Sequence, residues 1–310
     1  MSASAHTPVL LEEVVQALNL PQSHIVVDAT YGRGGHSAAI AKRLDGNSRL
    51  IVMDRDAEAI QHAIEHSRSY PNVEIIHAPF SRLKAELDQR GVFGKIDAIL
   101  FDFGVSSPQL DQPERGFSFS HDGPLDMRMD HSQEMTAHHW INEVEEKELV
   151  RVLRVYGEEK FARRIARAIK QALLEGPVET TGCLVRIINE AVPVKEKGKH
   201  PATRTFQAIR IAVNQELREI EEVLPQALEA LSTDGRLVII SFHSLEDRLV
   251  KRFFRKESIG DPYPVDLPVT ADMLKPRLKL VGKQVRACDE EVAVNPRSRS
   301  AVMRIAQKVA

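Results

Sequence analysis

Ile25-Val26-Val27-Asp28-Ala29-Thr30-Tyr31-Gly32-Arg33-Gly34-Gly35-His36 decides how this chain reads, together with Leu50-Ile51-Val52-Met53-Asp54, whose acid stands twenty positions past Gly34. Each apolar run has the length and β-branched content of a buried parallel strand. The glycines allow a tight strand-to-helix turn whose backbone can approach a ligand closely. Asp54 stands where a doubly wound fold hydrogen-bonds a ribose hydroxyl. A nucleoside cofactor is the expected ligand.

Detail decides which cofactor. The dinucleotide fingerprint G-x-G-x-x-G needs a third glycine at 37, where this chain has Ser37. It also brings a helix N-terminus onto a pyrophosphate. Here an acid precedes the first glycine by four, as Asp28-x-x-x-Gly32-x-Gly34. This acidic variant resembles the first motif of S-adenosylmethionine (SAM) methyltransferases, whose ligand carries an ammonium and a sulfonium but no phosphate. A carboxylate near the loop repels a pyrophosphate and suits a cation. The plain alternative is a Gly-rich structural turn, which Asp54 in register argues against.

The 310 residues suffice for one large or two ordinary domains. A hydrophobic content of 43% and a charged content of 28% are those of a soluble globular protein. No apolar stretch reaches the ~18 residues of a membrane span, and residues 1–7 lack the pattern of a signal sequence. Cys183 and Cys288 form no C-x-x-C, so neither a disulfide framework nor a zinc site is indicated. Adjacent His138 and His139 point about 100° apart on a helix and chelate poorly, so they read as structural, with Trp140 in a core. No metal, no membrane and a cytoplasmic location are expected.

The net charge of −2 conceals segregation. Residues 151–170 hold seven cations against Glu158 and Glu159, and residues 275–310 hold nine against Asp289, Glu290 and Glu291. Such patches suit phosphate-backbone contacts, although each taken alone also fits an ordinary solvated helix face. The basic loop Lys195-Glu196-Lys197-Gly198-Lys199-His200 is expected to join them along an RNA path.

An amphipathic helix is expected over 9–18, then strands at 24–28, 49–54, 72–77 and 96–102 separated by helices such as 55–66, which implies a parallel sheet. The alternation stops near 109. Residues 149–156, 161–169 and 184–191 repeat their apolar positions at helical spacing, with Gly157 and Gly176-Pro177 as punctuation. One long helix is expected over 206–231, a fifth buried strand over 235–242, and two final strands near 279–281 and 300–306. The domain reading is therefore a core of 1–108 and 206–310 interrupted by a helical domain of 109–205.

The fourth strand ends Ile99-Leu100-Phe101-Asp102-Phe103-Gly104-Val105-Ser106-Ser107-Pro108-Gln109. In open parallel sheets ligands lie at the carboxyl ends of strands near the switch point, which puts Asp102 at a cofactor's reactive end. An Asp followed by an aromatic here partly resembles the Asp-Pro-Pro-aromatic motif of amino-methylating enzymes, with Phe103-Gly104 in place of the prolines. The exocyclic amine of cytosine is a poor nucleophile because its lone pair is delocalised into the ring. An acceptor on its N–H groups, Asp102 or a nearby carbonyl, holds it and favours rehybridisation, and Phe103 could stack on the base. The bland reading of Asp102 is a helix N-cap. Asp-Phe-Gly has no kinase companions and is set aside. His36 either touches the ligand or caps the first helix.

Across nearly its whole length the chain resembles the RsmH (MraW) family of SAM-dependent methyltransferases acting on N4 of a cytidine in 16S ribosomal RNA. The resemblance rests on His6-Thr7-Pro8-Val9-Leu10-Leu11, Gly32-Arg33-Gly34-Gly35-His36-Ser37, Asp102 to Asp111, Arg115-Gly116-Phe117-Ser118-Phe119, Gly123 to Met129 and Tyr156-Gly157-Glu158-Glu159. It continues in His200 to Gln207, Ser241-Phe242-His243-Ser244-Leu245-Glu246-Asp247-Arg248 and Asn295 to Ser300. It implies a class I SAM-dependent methyltransferase fold, Rossmann-like α/β with a mostly parallel sheet and an inserted helical domain. It implies cofactor contacts at Gly34, Gly35 and His36, Asp54 on the ribose, Phe80 beside the adenine, Asp102 at the methyl-transfer end as the catalytic group, and Gln109 just beyond. S-adenosylhomocysteine (SAH) would be the product. The implied partner is 16S rRNA within the assembled small ribosomal subunit, with a homodimer left open. Residues 78–80 offer no acid or amide for the adenine amine, so backbone groups would select it. Two other readings stand beside this one: a similar enzyme on another substrate, and a non-catalytic ribosome assembly factor.

Overall fold

In the computed structural model, residues 8–20, 24–67, 70, 72–194, 198, 200–260 and 274–309 are described. They divide into two compact units, residues 1–104 with 217–310, and residues 105–216.

The first unit is built on one seven-stranded sheet. Its strands are β1 (Ile25–Asp28), β2 (Arg49–Asp54), β3 (Val73–His77), β4 (Ile96–Asp102), β5 (Leu231–Ser241), β6 (Leu278–Leu280) and β7 (Val302–Lys308). The spatial order is β3-β2-β1-β4-β5-β7-β6. β1 to β5 run parallel, and β7 runs antiparallel to both β5 and β6. This is the class I, Rossmann-like methyltransferase sheet. The strand order reverses between β1 and β4, which opens a crevice at their carboxyl ends.

Alternation along the strands supplies two apolar faces. Val27, Ile51, Met53, Ile99, Phe101 and Ile239 share one core with Leu83 and Leu87 of α4 (Leu83–Gln89), α11 (Glu216–Ala230) from Ile220 onward, and Val250 and Phe254 of α12 (Ser244–Ile259). Val26, Leu50, Val52, Leu100, Val238 and Ile240 share the other with α1 (Leu11–Ala17), α2 (Gly35–Ala41) and α3 (Ala57–His66). Burying each Val or Phe of this kind contributes about 1.5–3 kcal/mol.

The second unit is helical: α5 (Ser107–Asp111), α6 (Ala137–Glu143), α7 (Glu146–Val155), α8 (Ala162–Ala172), α9 (Thr181–Ala191) and α10 (Thr203–Asn214). Its core gathers Leu149, Val152, Ile165, Ile169, Leu184 and Ile188, one stripe from each of three helices, with Phe206 and Ile209 of α10. Thr136 and Thr180 cap α6 and α9 through their hydroxyls. A short helix, α13 (Asp289–Val294), precedes β7 in the first unit.

Four expectations need correction. The single helix over 206–231 is two helices, because Gln215 adopts left-handed backbone (φ 52°) between α10 and α11. The break is held locally: Arg210 donates twice to Glu216, at 2.8 Å each, and the Asn214 amide donates to the Met127 and Arg210 carbonyls. β5 begins at Leu231 rather than 235, since Leu231 pairs with Ile96 before a bulge shifts the partner of Ala98 to Arg236. β7 begins at Val302, because Pro296–Ser300 forms a 3₁₀ turn capped by Asn295. Trp140 is half-buried at the margin of its core.

Candidate functional site

The loop after β1 is organised from within. Asp28 is buried, and its carboxylate accepts from the Thr30 N–H at 3.2 Å and the Ser37 hydroxyl at 2.5 Å. Asp28 thus ties the strand end to α2, and burial raises its carboxyl above the ordinary range. Gly34 (φ 71°) caps α2, and a Cβ there would lie 2.4 Å from the Tyr31 hydroxyl. A Cβ on Gly35 would meet Pro8 Cγ at 2.2 Å. The loop accepts no side chain at either position. The Tyr31 hydroxyl bonds His62 Nδ1 at 3.0 Å, and burial pushes its phenol up to about 12.

Asp54 closes the same loop from the next strand. Its Oδ2 accepts from the Gly32 N–H at 2.8 Å and its Oδ1 from the Asp56 N–H at 2.8 Å. Burial pushes the carboxyl up to about 6 despite those two bonds, with Asp56 and Asp28 adding to the rise. Each oxygen keeps a second lone pair for a ligand hydroxyl.

Asp102 is the last residue of β4, and its N–H donates to the Thr30 hydroxyl at 2.7 Å. It is not a helix cap, since α5 starts five residues later behind Ser106. Its Oδ2 lies 3.6 Å from His36 Nδ1, with about a quarter of the side chain open (26%). Its Oδ1 is buried with no hydrogen-bond partner. Burial pushes the carboxyl up to about 6; His36 opposes the rise, while Asp28 and Glu246 add to it. The His36 ring is fixed from its other side, Nε2 standing 3.0 Å from the Val9 carbonyl oxygen. A carbonyl only accepts, so Nε2 carries the hydrogen and Nδ1 faces Asp102. At 3.6 Å the two groups face each other without a direct hydrogen bond.

Phe80 follows β3, half-buried, edge-on to Phe101 at 5.8 Å and 5.5 Å from Phe103. Phe103 itself is buried between its aromatic neighbours, so it is not the base-stacking platform expected of it. Gln109 lies in the second unit, where its Oε1 accepts from the Ser106 N–H at 2.9 Å in a capping box.

The structure therefore brings Gly34, Gly35, His36, Asp54, Phe80 and Asp102 to the carboxyl ends of β1 to β4, in one unit. Sequence reasoning missed three supports: the Thr30 hydroxyl under Asp102, the Ser37–Asp28 bond, and the Val9 carbonyl behind His36. Asp28-x-Thr30 and the Ser37 that replaces a glycine were available as signals; nothing in the sequence points to Val9.

Among the cations singled out earlier, Arg163, Arg164 and Arg167 of α8 are exposed, whereas Arg151 is held by Glu148 and lies over the Tyr156 ring. Arg277 and Arg304 are paired with Glu257 and Asp247. Of the loop 195–200, residues 195–197 and 199 lie outside the described residues. His138 and His139 each bond a carbonyl, of Val178 and Glu134. Among the described residues no helix is long and apolar enough to cross a membrane.

Residues 3–309 match the sequence profile of the MraW methylase family. Similar solved structures include an rRNA methylase from Streptococcus thermophilus, 12% identical, covering 99% of this chain and 100% of that one at a TM-score of 0.42. A Streptococcus mutans protein solved with SAH is 12% identical, with 98% and 100% covered and a TM-score of 0.43. A SAM-dependent O-methyltransferase from Thermotoga maritima is 11% identical, with 100% and 69% covered and a TM-score of 0.43.

Proposed function

The chain belongs to the MraW methylase family, and from that premise we propose that it methylates the N4 exocyclic amine of a decoding-centre cytidine in 16S rRNA of the small ribosomal subunit. It is a SAM-dependent methyltransferase. The residues present fit that cofactor: two glycines make a tight turn with no side chain of its own at the strand end, the Asp54 carboxylate keeps acceptor capacity for a hydroxyl, and Asp102 holds an unpartnered acceptor at the same end of the sheet. In this reading Gly34, Gly35 and His36 line the cofactor, Asp54 binds its ribose, and Phe80 flanks its adenine. When bound, S-adenosylmethionine supplies an electrophilic methyl group on a sulfonium that is a good leaving group.

The observation that carries the proposal is the buried, unpartnered Oδ1 of Asp102. A buried acceptor without a donor is costly unless a ligand satisfies it. An amine N–H satisfies it, and in doing so the amine is held with its lone pair released from the ring. Asp102 then accepts the proton that the amine sheds, and His36 Nδ1 at 3.6 Å shares the resulting load. A neutral Asn in its place keeps the shape but loses the base.

Small subunits from cells lacking the gene, incubated with the protein and tritiated-methyl SAM, should take label into 16S rRNA. Asp102→Asn should slow that transfer by about 10²–10³. Label in protein or small molecules would favour another substrate, and no label at all would favour an assembly factor.

A further inference from the structure

α12 is the largest element the function has not absorbed, and sequence periodicity alone did not single it out. It begins where β5 ends: Ile240 pairs with Asp102, and Ser244 opens the helix four residues later. Val250 and Phe254 anchor it on the core, with Leu249 and Phe253 packed against them half-buried. The opposite side carries Arg248, Lys251, Arg252, Arg255 and Lys256, all exposed. At 3.6 residues per turn the first four fall within an arc of about 100° and span ~10 Å of the axis.

The acids of α12 are withdrawn from that surface. Glu246 is fully buried and accepts from the Phe242 and His243 N–H groups at the N-terminus. Asp247 is gripped by Arg304 at 2.7 and 3.0 Å. Glu257 is buried and bonded to Arg277 at 2.7 Å. Lys251, Arg252 and Arg255 have no ion pair among the described residues. An ordinary solvated helix face intersperses both signs, and like charges at i, i+4, as in Lys251/Arg255, destabilise it. Here repulsion is kept while every acid is turned away.

We propose that this stripe on α12 is a docking surface for the phosphate backbone of the RNA substrate, tracking the strand away from the site at Asp102. The inference rests on the ribosomal RNA reading above and assigns that substrate a path on the first unit. About 10 Å of stripe matches roughly three phosphates of a stacked strand. Backbone contacts of this kind position a strand and carry no sequence information. A membrane surface is a poorer match, because insertion needs a broad free apolar face, and Val250 and Phe254 of α12 are buried in the core.

The test compares the full chain with K251Q/R252Q/R255Q and with a charge-retaining swap, K251R/R252K/R255K. Binding to small subunits from cells lacking the gene is measured across a salt series, with SAM affinity followed by calorimetry. The neutral variant should bind subunits at least about tenfold more weakly at 0.1 M salt and flatten the log–log salt slope by about two, three contacts at ~0.7 each. The swap should bind as the wild type does, and all three should bind SAM equally. Unchanged subunit affinity and slope in the neutral variant would show a merely solvated face. Equal losses in the neutral and swapped variants would show that shape and not charge is read. Flotation of the wild type alone with phosphatidylglycerol vesicles, with subunit binding unaltered, would hand the stripe to a membrane. If the wild type neither bound subunits nor labelled their RNA, the ribosomal RNA reading would fall first and this assignment with it.

Discussion

Asp102 concentrates the chemistry and the cost in one side chain. Its carboxyl, raised to about 6 chiefly by burial, holds its proton more tightly in the folded protein than in the unfolded chain. Its contribution to stability is therefore complete below the unfolded value near 4 and is lost as pH rises through about 6. Asp102→Asn removes that loss. The variant should be far slower yet more stable than the wild type by about 1–3 kcal/mol at pH 8, with the difference vanishing near pH 4. Thermal melts across that range check this, and equal melting temperatures at pH 8 would contradict it. Wild-type methyl transfer should fall as pH drops through about 6, because only the carboxylate accepts a proton. Asp54 carries the same burial cost but spends both oxygens on the Gly32 and Asp56 N–H groups. Asp54→Ala should weaken SAM binding by about 1.5–3 kcal/mol, the value of hydrogen bonds to a charged group, as read by calorimetry.

At the scale of elements, β1, β2 and β4 were legible because each carries a buried, mostly aliphatic run ended by an acid, with polar residues such as Arg49 and Asp97 confined to the strand's start. The α10–α11 break was not, because the left-handed residue is Gln215 and not a glycine, and the side-chain bonds that hold it combine local partners with one far away in sequence. Asn214 is the case in point. Its amide bonds the Met127 carbonyl at 2.7 Å and accepts from the Met129 N–H at 2.8 Å, holding a loop some eighty-five residues away in sequence. Asn214→Ala should leave those buried groups unpaired at about 1–3 kcal/mol each. Faster hydrogen exchange at the Met129 amide would report it; unchanged protection would show that the loop is held elsewhere. α12 escaped notice because its interior acids and exterior cations look in sequence like an ordinary mixed helix. The candidate site was half legible: Gly34, Asp54 and Asp102 follow from strand ends, whereas the His36 ring is aimed by the carbonyl of Val9, a contact no spacing rule encodes.

Across the whole molecule a net charge of −2 coexists with exposed cations on α12 and on α8, so solution behaviour and substrate affinity follow different charges. In the proposed reading SAM lies against a loop built by buried acids and glycines and should bind with little salt dependence, while subunit binding should weaken steeply with salt. Methylation at one base is the central claim, and nucleoside mass spectrometry of 16S rRNA tests it most directly. RNA from cells lacking the gene should gain N4-methylated cytidine, at a single decoding-centre position, when its small subunits are incubated with the protein and SAM, and should gain it about 10²–10³ more slowly with Asp102→Asn. A methyl group found on a different nucleoside or at a different position, or no difference between treated and untreated subunits, would contradict the account.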